Sequence, residues 1–396
     1  MAITPILLGL YVFLALLYWL WSACCAVRLR RAVPLLANLE PPPPDRWPKL
    51  SVVVPARNEA DTLEPAVRTL LGEDYPDLEI ILVDDRSSDE TGRIIDRIAA
   101  GDARVKAVHI TELREGWLGK VNALDRGLGK SSGRFVLFTD ADVHFRTGTL
   151  QKAIAYCEQQ GLDHLAAFPD VWSAGFIVDA MISVFLRHFL FFVSRACALD
   201  KVASRAFLGV GAFNLVRRKA LEATDGFEWL RLEVADDMGL GLMMKRSGAR
   251  CGAVAAFGHV GLYWYHSVAQ AARGTEKAWA TLSHFSVVRT FAIALVTLAV
   301  EMSPVLSLLP LATERLRAIG YVGLGVFVAF VFCVVHLSRW AKVRAVPALA
   351  APLAVLPLAI IFIRAAMIGR RRGGVVWRGT LYRAETLRKH MRVKLP

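Results

Sequence analysis

The chain has 396 residues, 55% of them hydrophobic, with a mean hydropathy of +0.41 and a net charge of +13. This is too apolar for an ordinary soluble enzyme and points to membrane spans around one domain of roughly 250 residues. The charge argues against a nucleic-acid coat. From Arg370 onward there are nine Lys or Arg against one acid, Glu385, so +8 of the +13 lies in the last 27 residues, as suits a cytoplasmic, lipid-facing tail.

Residues 5–27, "PILLGLYVFLALLYWLWSACCAV", carry no charge and are long enough to cross a hydrocarbon core of about 30 Å. No basic residue precedes them, and Arg28, Arg30 and Arg31 follow. The positive-inside rule therefore puts residue 28 onward in the cytoplasm, and residues 1–30 read as an anchor. Residues 31–48 form a linker stiffened by "PPPP" at 41–44. From residue 49 to 283 the pattern changes to continuous apolar runs alternating with amphipathic stretches. "LSVVVPA", "LEIILVDD", "VKAVHI" and "GRFVLFTD" predict strands; "EADTLEPAVRTLL", "SDETGRIIDRIA" (with Ser88 as N-cap) and "KVNALDRGL" predict helices. The expected fold class is α/β, a mostly parallel sheet flanked by helices, with ligands at the C-terminal strand ends. Residues 173–199 are apolar but hold Asp179, Arg187 and His188, and read as interfacial helices.

Residues 284–369 are apolar again, with segments 290–312, 318–337 and 346–368 each long enough to span. The first holds Glu301, at a cost of about 2–3 kcal/mol if it faces lipid. Three crossings would leave the basic tail, 370–396, outside, whereas two keep it inside. The expectation is two full spans, with one of the three segments re-entrant or in the interface. The six cysteines form no C-x-x-C pair and read as reduced thiols.

Asp140 and Asp142 stand just past the fourth predicted strand. Two carboxylates one residue apart can hold a divalent ion against a diphosphate, although an isolated D-x-D is more often a solvated turn. The company selects the first reading, because "VVPARNE", "VDDRSSDET" and "GWLGKVNALDRG" bring polar residues to the same sheet edge. In order and spacing these motifs resemble the membrane-anchored branch of the family-2 glycosyltransferases, over roughly residues 50–280. The resemblance implies a GT-A fold that binds a nucleotide-sugar donor, with Pro55, Ala56, Arg57 and Glu59 lining the nucleotide. It implies uracil and ribose contacts from Asp85 and Asp84, Lys120 on the donor phosphates, and Asp142 on Mg²⁺ or Mn²⁺, with Asp140 assisting through metal or ribose. "GVGAFNLVRRKAL…DGFE" resembles the acceptor-side segment, and "VADDMGLGLMMKRSG" the segment of the catalytic base, which maps onto Asp237, with Asp236 beside it. "WRGTLY" resembles a short element of membrane members. One departure stands out. Processive synthases carry Q/R-x-x-R-W, whereas "QAARGTEKAW" keeps Gln270 and Arg273 but has Gly274 for Trp. Gly274 and Lys277 instead resemble the Gly-x-x-Lys of non-processive, lipid-directed members. Arg273 is expected on phosphate oxygens. His259 and His266 are candidate third metal ligands, and equally ordinary packed or surface histidines.

The expected activity is inverting transfer of one sugar from a nucleotide-sugar, a UDP-sugar, to a membrane lipid hydroxyl, by a multi-pass inner (plasma) membrane enzyme with a cytoplasmic catalytic domain. A polyprenyl-phosphate acceptor is an alternative; being already an anion, it needs no base. An inactive scaffold binding nucleotide-sugar or lipid is another, disfavoured by the intact Asp140, Asp142 and Asp237. No G-x-G-x-x-G follows the first strand and no P-loop occurs, which excludes those nucleotide enzymes.

Overall fold

The structure, a computed structural model, describes residues 3–193, 198–201, 204–277 and 282–394. Cys197, and Ala278 and Trp279 of the "QAARGTEKAW" segment, lie outside them. The apolar runs form β1 (Leu50–Ala56), β2 (Leu78–Asp85), β3 (Val105–Ile110) and β4 (Phe135–Phe138). Every residue of β1 and β4 is buried, as expected of strands covered on both faces. Further along come β5 (His144–Phe145), β6 (His164–Phe168), β7 (Asp170–Val171), β8 (Asn214–Arg217), β9 (Cys251–Ala255) and β10 (Val260–Leu262). The main sheet runs β3-β2-β1-β4-β8-β6-β9, and β5-β10-β7 make a small second sheet. Only β8 runs against its neighbours in the main sheet, so the sheet is mostly parallel, as expected. Ala56 lies opposite Asp84, and Val53 opposite Phe138. This register brings residues 57–59, 84–85 and 139–142 to one edge.

One expected cap is corrected. The helix after β2 is Thr91–Gly101, and Ser88 does not cap it. Asp89 accepts the Thr91 N–H at 3.0 Å, while the Ser88 N–H donates to Asn58 Oδ1 at 2.8 Å. The loops after β1 and β2 interlock, and this cross-loop bond replaces the local one.

Among the described residues four helical stretches are long and apolar enough to cross a membrane: Thr4–Ala32, Val287–Ala312, Glu314–Trp340 and Ala351–Arg372. The helix Phe176–Val193 packs among them. Its Arg187 forms an ion pair with Glu301, both groups being buried. The Arg187 guanidinium also lies 5.3 Å from the Trp19 ring, and Trp19 Nε1 donates to Ser303 Oγ at 3.0 Å. Glu301 therefore does not face lipid.

The described cysteines are free thiols. Trp340, closing the third apolar helix, packs its ring 5.2 Å from Phe257 and 6.4 Å from Phe168 of the α/β domain. In the fourth, Arg364 and Arg372 pair with Glu276 at 3.2 and 3.4 Å. Beyond it, β11 (Gly374–Trp377) and β12 (Thr380–Arg383) form a hairpin, followed by the helix Ala384–His390. The Arg392 and Val393 N–H groups then donate to Glu233 Oε2 at 2.6 and 3.0 Å. The tail thus lies on the domain.

Glu79, near the start of β2, ties the sheet at its other end. Its carboxylate accepts from Ser51 Oγ (2.6 Å) and Ser132 N (2.5 Å) and pairs with Lys106 (2.7 Å). Burial alone would raise its pKa, but Lys106, Ser51 and Ser132 hold it down at about 2. Glu79→Ala should cost about 1–3 kcal/mol, seen as a lower unfolding midpoint of the detergent-solubilised chain. Because the folded pKa is depressed, this contribution is present above the ordinary glutamate range and is lost as pH falls toward about 2. The gap between wild type and variant should close on that acid side.

Candidate active site

The centre of the edge is a lysine among carboxylates. Lys120, in the first turn of the helix Gly119–Leu128, places Nζ 2.7 Å from Asp140 Oδ1 and 3.2 Å from Asp236 Oδ2. Asp236 and Asp237 open the helix Asp236–Arg246, where the helix dipole favours negative charge. Asp237 accepts the Met238 N–H through Oδ1 (2.8 Å) and the Gly211 N–H through Oδ2 (3.0 Å). Gly211 keeps a space clear between two acids. A Cβ there would stand 2.8 Å from Asp140 Oδ2 and 3.6 Å from Asp237 Oδ2. Gly209 and Gly241 allow the close approach that builds this, since a Cβ at either would fall within 2 Å of a backbone oxygen, that of Asp237 (1.7 Å) or Leu208 (1.9 Å).

The protonation states follow from this crowding. Burial works to lower the Lys120 pKa, yet Asp140, Asp236 and Asp237 together raise it, so it stays an ammonium. Burial pushes Asp140 up, but Lys120 outweighs burial and holds it below its usual range. Asp142 has no such cation; burial, then Asp140 and Glu59, push it up to about 7. Asp237 is raised to about 6 by burial and Asp236, against the pull of Lys120. Glu59 is raised by burial despite its hydrogen bond from Thr62 Oγ1 (2.7 Å).

The ends of β1 and β2 lie side by side at this edge. Pro55 and Ala56 end β1, and Arg57 Nη1 donates to the Asp85 carbonyl at 3.2 Å. Asp84 and Asp85 both have protein partners. Asp84 accepts the Ser87 N–H at 3.1 Å and lies 3.3 Å from His109 Nδ1. Asp85 is fully buried; Arg86 Nε takes Oδ1 (2.8 Å) and Arg378 Nη1 takes Oδ2 (3.0 Å). Arg378 arrives at the tip of the β11–β12 hairpin. Arg378 and Gly379 have φ of +48° and +76°, as a two-residue hairpin turn requires. The Tyr382 hydroxyl secures the hairpin by donating to the Trp117 carbonyl at 3.2 Å. Arg86 and Arg378 thus meet the Asp85 carboxylate and Arg57 its backbone carbonyl, and buried Arg86 Nη2 has no partner among the described residues. Sequence reasoning missed Arg86, Arg378 and Gly211. The signal for Arg378 was present in "VVWRGTLY", an Arg-Gly pair between two strand-like runs.

Arg273 is exposed in the helix Val268–Gly274 and forms no ion pair among the described residues. Lys277, one turn on, instead shares the field of Asp236, Asp140 and Asp237; burial and Lys120 lower its pKa. Neither candidate histidine joins the acids. His259 Nδ1 lies 3.1 Å from Thr149 Oγ1, and the His266 ring stacks 4.8 Å from Tyr263. Among the described residues no three His, Cys, Asp or Glu side chains are grouped to hold a metal.

Residues 51–224 match the family model described as Glycosyl transferase family 2. The chain is 39% identical over 103 residues to the GalNAc(5)-diNAcBac-PP-undecaprenol beta-1,3-glucosyltransferase of Campylobacter jejuni, a match covering 26% of this chain and 32% of the relative. It is 31% identical over 109 residues to the putative teichuronic acid biosynthesis glycosyltransferase TuaG of Bacillus subtilis, covering 28% and 42%. The chain therefore spans less than half the length of these relatives. The solved mannosyltransferase PcManGT from Pyrobaculum calidifontis, in complex with GDP-Man and Mn²⁺, aligns over 93% of this chain and 97% of its own, with a TM-score of 0.51 and 20% identity. At that identity the likeness is one of fold, the GT-A arrangement.

Gly211→Ala tests the geometry. The added methyl would crowd Asp140 Oδ2 without meeting backbone, so glycosyl transfer should fall at least about tenfold, as misplacement of reacting groups does, with the melting temperature unchanged. Full activity in that variant would remove the space beside Gly211 from the reaction.

Proposed function

We propose that the protein is an inverting glycosyltransferase that moves one sugar from a nucleotide-sugar, a UDP-sugar, to a membrane lipid hydroxyl. The observation that carries this reading is the convergence of Asp237 Oδ2 and Asp140 Oδ2 across Gly211. A base and a donor-side acid face one space, the arrangement a direct displacement needs. The named activity of the Campylobacter relative, a beta-1,3-glucosyltransferase on an undecaprenol-linked glycan, supports a lipid-borne acceptor. The GDP-Man and Mn²⁺ of the mannosyltransferase structure support a nucleotide-sugar and a divalent ion.

In this reading Asp237 accepts the proton of the attacking hydroxyl. Its hydrogen bonds from Met238 N–H and Gly211 N–H aim the carboxylate at the cleared space. Lys120 holds Asp140 in place, and Lys120, Arg57 and Arg378 supply positive charge for the donor phosphates. Asp142 and Asp140 are the residues that would hold Mg²⁺ or Mn²⁺. They fit such a cation, because Asp142 is a crowded carboxylate without a cation partner and Asp140 Oδ2 is left free by Lys120. When bound, the cation neutralises the departing diphosphate.

The membrane arrangement belongs to the same reading. The helices Val287–Ala312 and Glu314–Trp340 form a pair that leaves the domain and returns to it. Ala351–Arg372 begins and ends on the domain side and lies in the interface. With the N-terminal anchor this gives three crossings and puts domain and tail together on the cytoplasmic face of the inner membrane.

The decisive experiment is Asp237→Asn, which keeps the shape and removes the base. Turnover should fall about 10²–10⁴-fold while donor affinity, measured by calorimetry, stays near wild type. Wild-type turnover should rise as pH climbs through about 6, because only the ionised carboxylate accepts a proton, and this limb should vanish in the variant. Near-normal turnover of Asp237→Asn would favour an acceptor that is already an anion. Excess EDTA should abolish turnover, and Asp142→Ala should lower it at least about 10²-fold; activity indifferent to EDTA would sink the cation. For topology, cysteines placed at Glu64 and at Lys389 should both be silent to an impermeant thiol reagent in intact cells. Labelling of only one would show an odd number of crossings between them.

A further inference from the structure

A cleft in the membrane region lies outside everything assigned so far. It runs along one face of the helix Glu314–Trp340 and meets Arg30 of the N-terminal anchor at one end, has a volume of about 390 Å³, and shares no residue with the Lys120–Asp140–Asp237 site. Its apolar length is lined by Phe327, Val328 and Phe332, which are 38%, 64% and 49% exposed. Its mouth is formed by Arg30, His336 and Arg339. Among the described residues no carboxylate stands within 4 Å of either guanidinium, so two positive charges meet the cleft without counter-ions. The His336 ring stacks on Phe332, with centroids 5.5 Å apart, and its Nε2 is buried without a partner.

We propose that this cleft binds one anionic phospholipid from the leaflet next to the catalytic domain. The length fits a single leaflet. From Phe327 to Arg339 the helix rises about 18 Å, little more than half of a hydrocarbon core of about 30 Å. The polarity fixes the direction. Arg339 adjoins Trp340, which packs on Phe168 and Phe257 of the domain, so the headgroup lies at the domain-side interface and the acyl chain runs away from it. Charge selects the class. A zwitterionic headgroup brings its own ammonium toward Arg30 and Arg339, whereas a net-negative phosphodiester answers both and offers an oxygen to His336. Basic residues at the cytoplasmic ends of spans are common. This site differs from that background by the cleft continuing from them, with His336 in its lining.

The test uses the full chain in nanodiscs of phosphatidylcholine with a minor fraction of phosphatidylglycerol, read by native mass spectrometry of lipid retained on the released protein. One phosphatidylglycerol should be retained. The Arg30→Gln/Arg339→Gln double variant should lower its retention at least about tenfold, as loss of two charge-assisted contacts implies. Val328→Trp fills the apolar part of the cleft at a lipid-facing position and leaves both charges in place. It too should lower retention, and it carries the test if the arginine variant does not fold. Equal retention of phosphatidylcholine overturns the proposal. So does full retention by Val328→Trp, which would reduce the binding to attraction at the membrane surface.

Discussion

The site depends on one ammonium group. Lys120 stands between Asp140, at the end of the sheet, and Asp236, at the start of a helix. Four acids, Asp140, Asp142, Asp236 and Asp237, face this edge, and like charges so close oppose one another's ionisation. Lys120 keeps Asp140 ionised and joins two elements that would otherwise repel. It also divides the acids by role. Asp140 is held ionised, while Asp142 and Asp237 keep pKa values near neutrality. A carboxylate poised there is suited to exchanging a proton, and one without a cation partner is suited to receiving a metal.

A second buried pair does the same for the membrane region. Arg187 and Glu301 lie on separate helices, and each would be costly to leave unpaired in an apolar setting. Together, and sandwiched with Trp19, they hold the helix Phe176–Val193 against the anchor and the helix that follows the domain. The catalytic edge and the bilayer are thereby fixed in one frame. In the proposed reading a lipid acceptor would need that frame, because its hydroxyl would approach along the membrane surface.

Much of this was legible in the residues. β1 to β3 fall at the expected positions because strands buried on both faces are written as uninterrupted apolar runs. Lys120, Asp140 and Asp237 meet as the order of their motifs implied. What was not legible depended on partners distant in the chain. β8 is a four-residue strand that enters the sheet against its direction, and its place is set by β4 and β6. The Ser88 cap failed because Asn58, thirty residues earlier, supplies the competing hydrogen bond. Arg273 and Lys277 are equally basic on paper; one helical turn decides which faces the acids. Asp84 and Asp85 looked open to a ligand because nothing near them in sequence reveals His109 or Arg378.

The hairpin that delivers Arg378 has a consequence for biogenesis. Asp85 and the guanidinium that covers it lie 293 positions apart. The strands around Asp85 leave the ribosome early and can pair at once. In the proposed topology their carboxylate then waits, partnered by Arg86, while the helices after the domain enter the bilayer. The edge closes only when the tail emerges on the same face as the domain. A chain threaded with the wrong parity would leave its hairpin across the membrane and its edge open, so an insertion error and a catalytic defect arise together. In the proposed topology the contact between Asp85 and Arg378 forms only when tail and domain share one face.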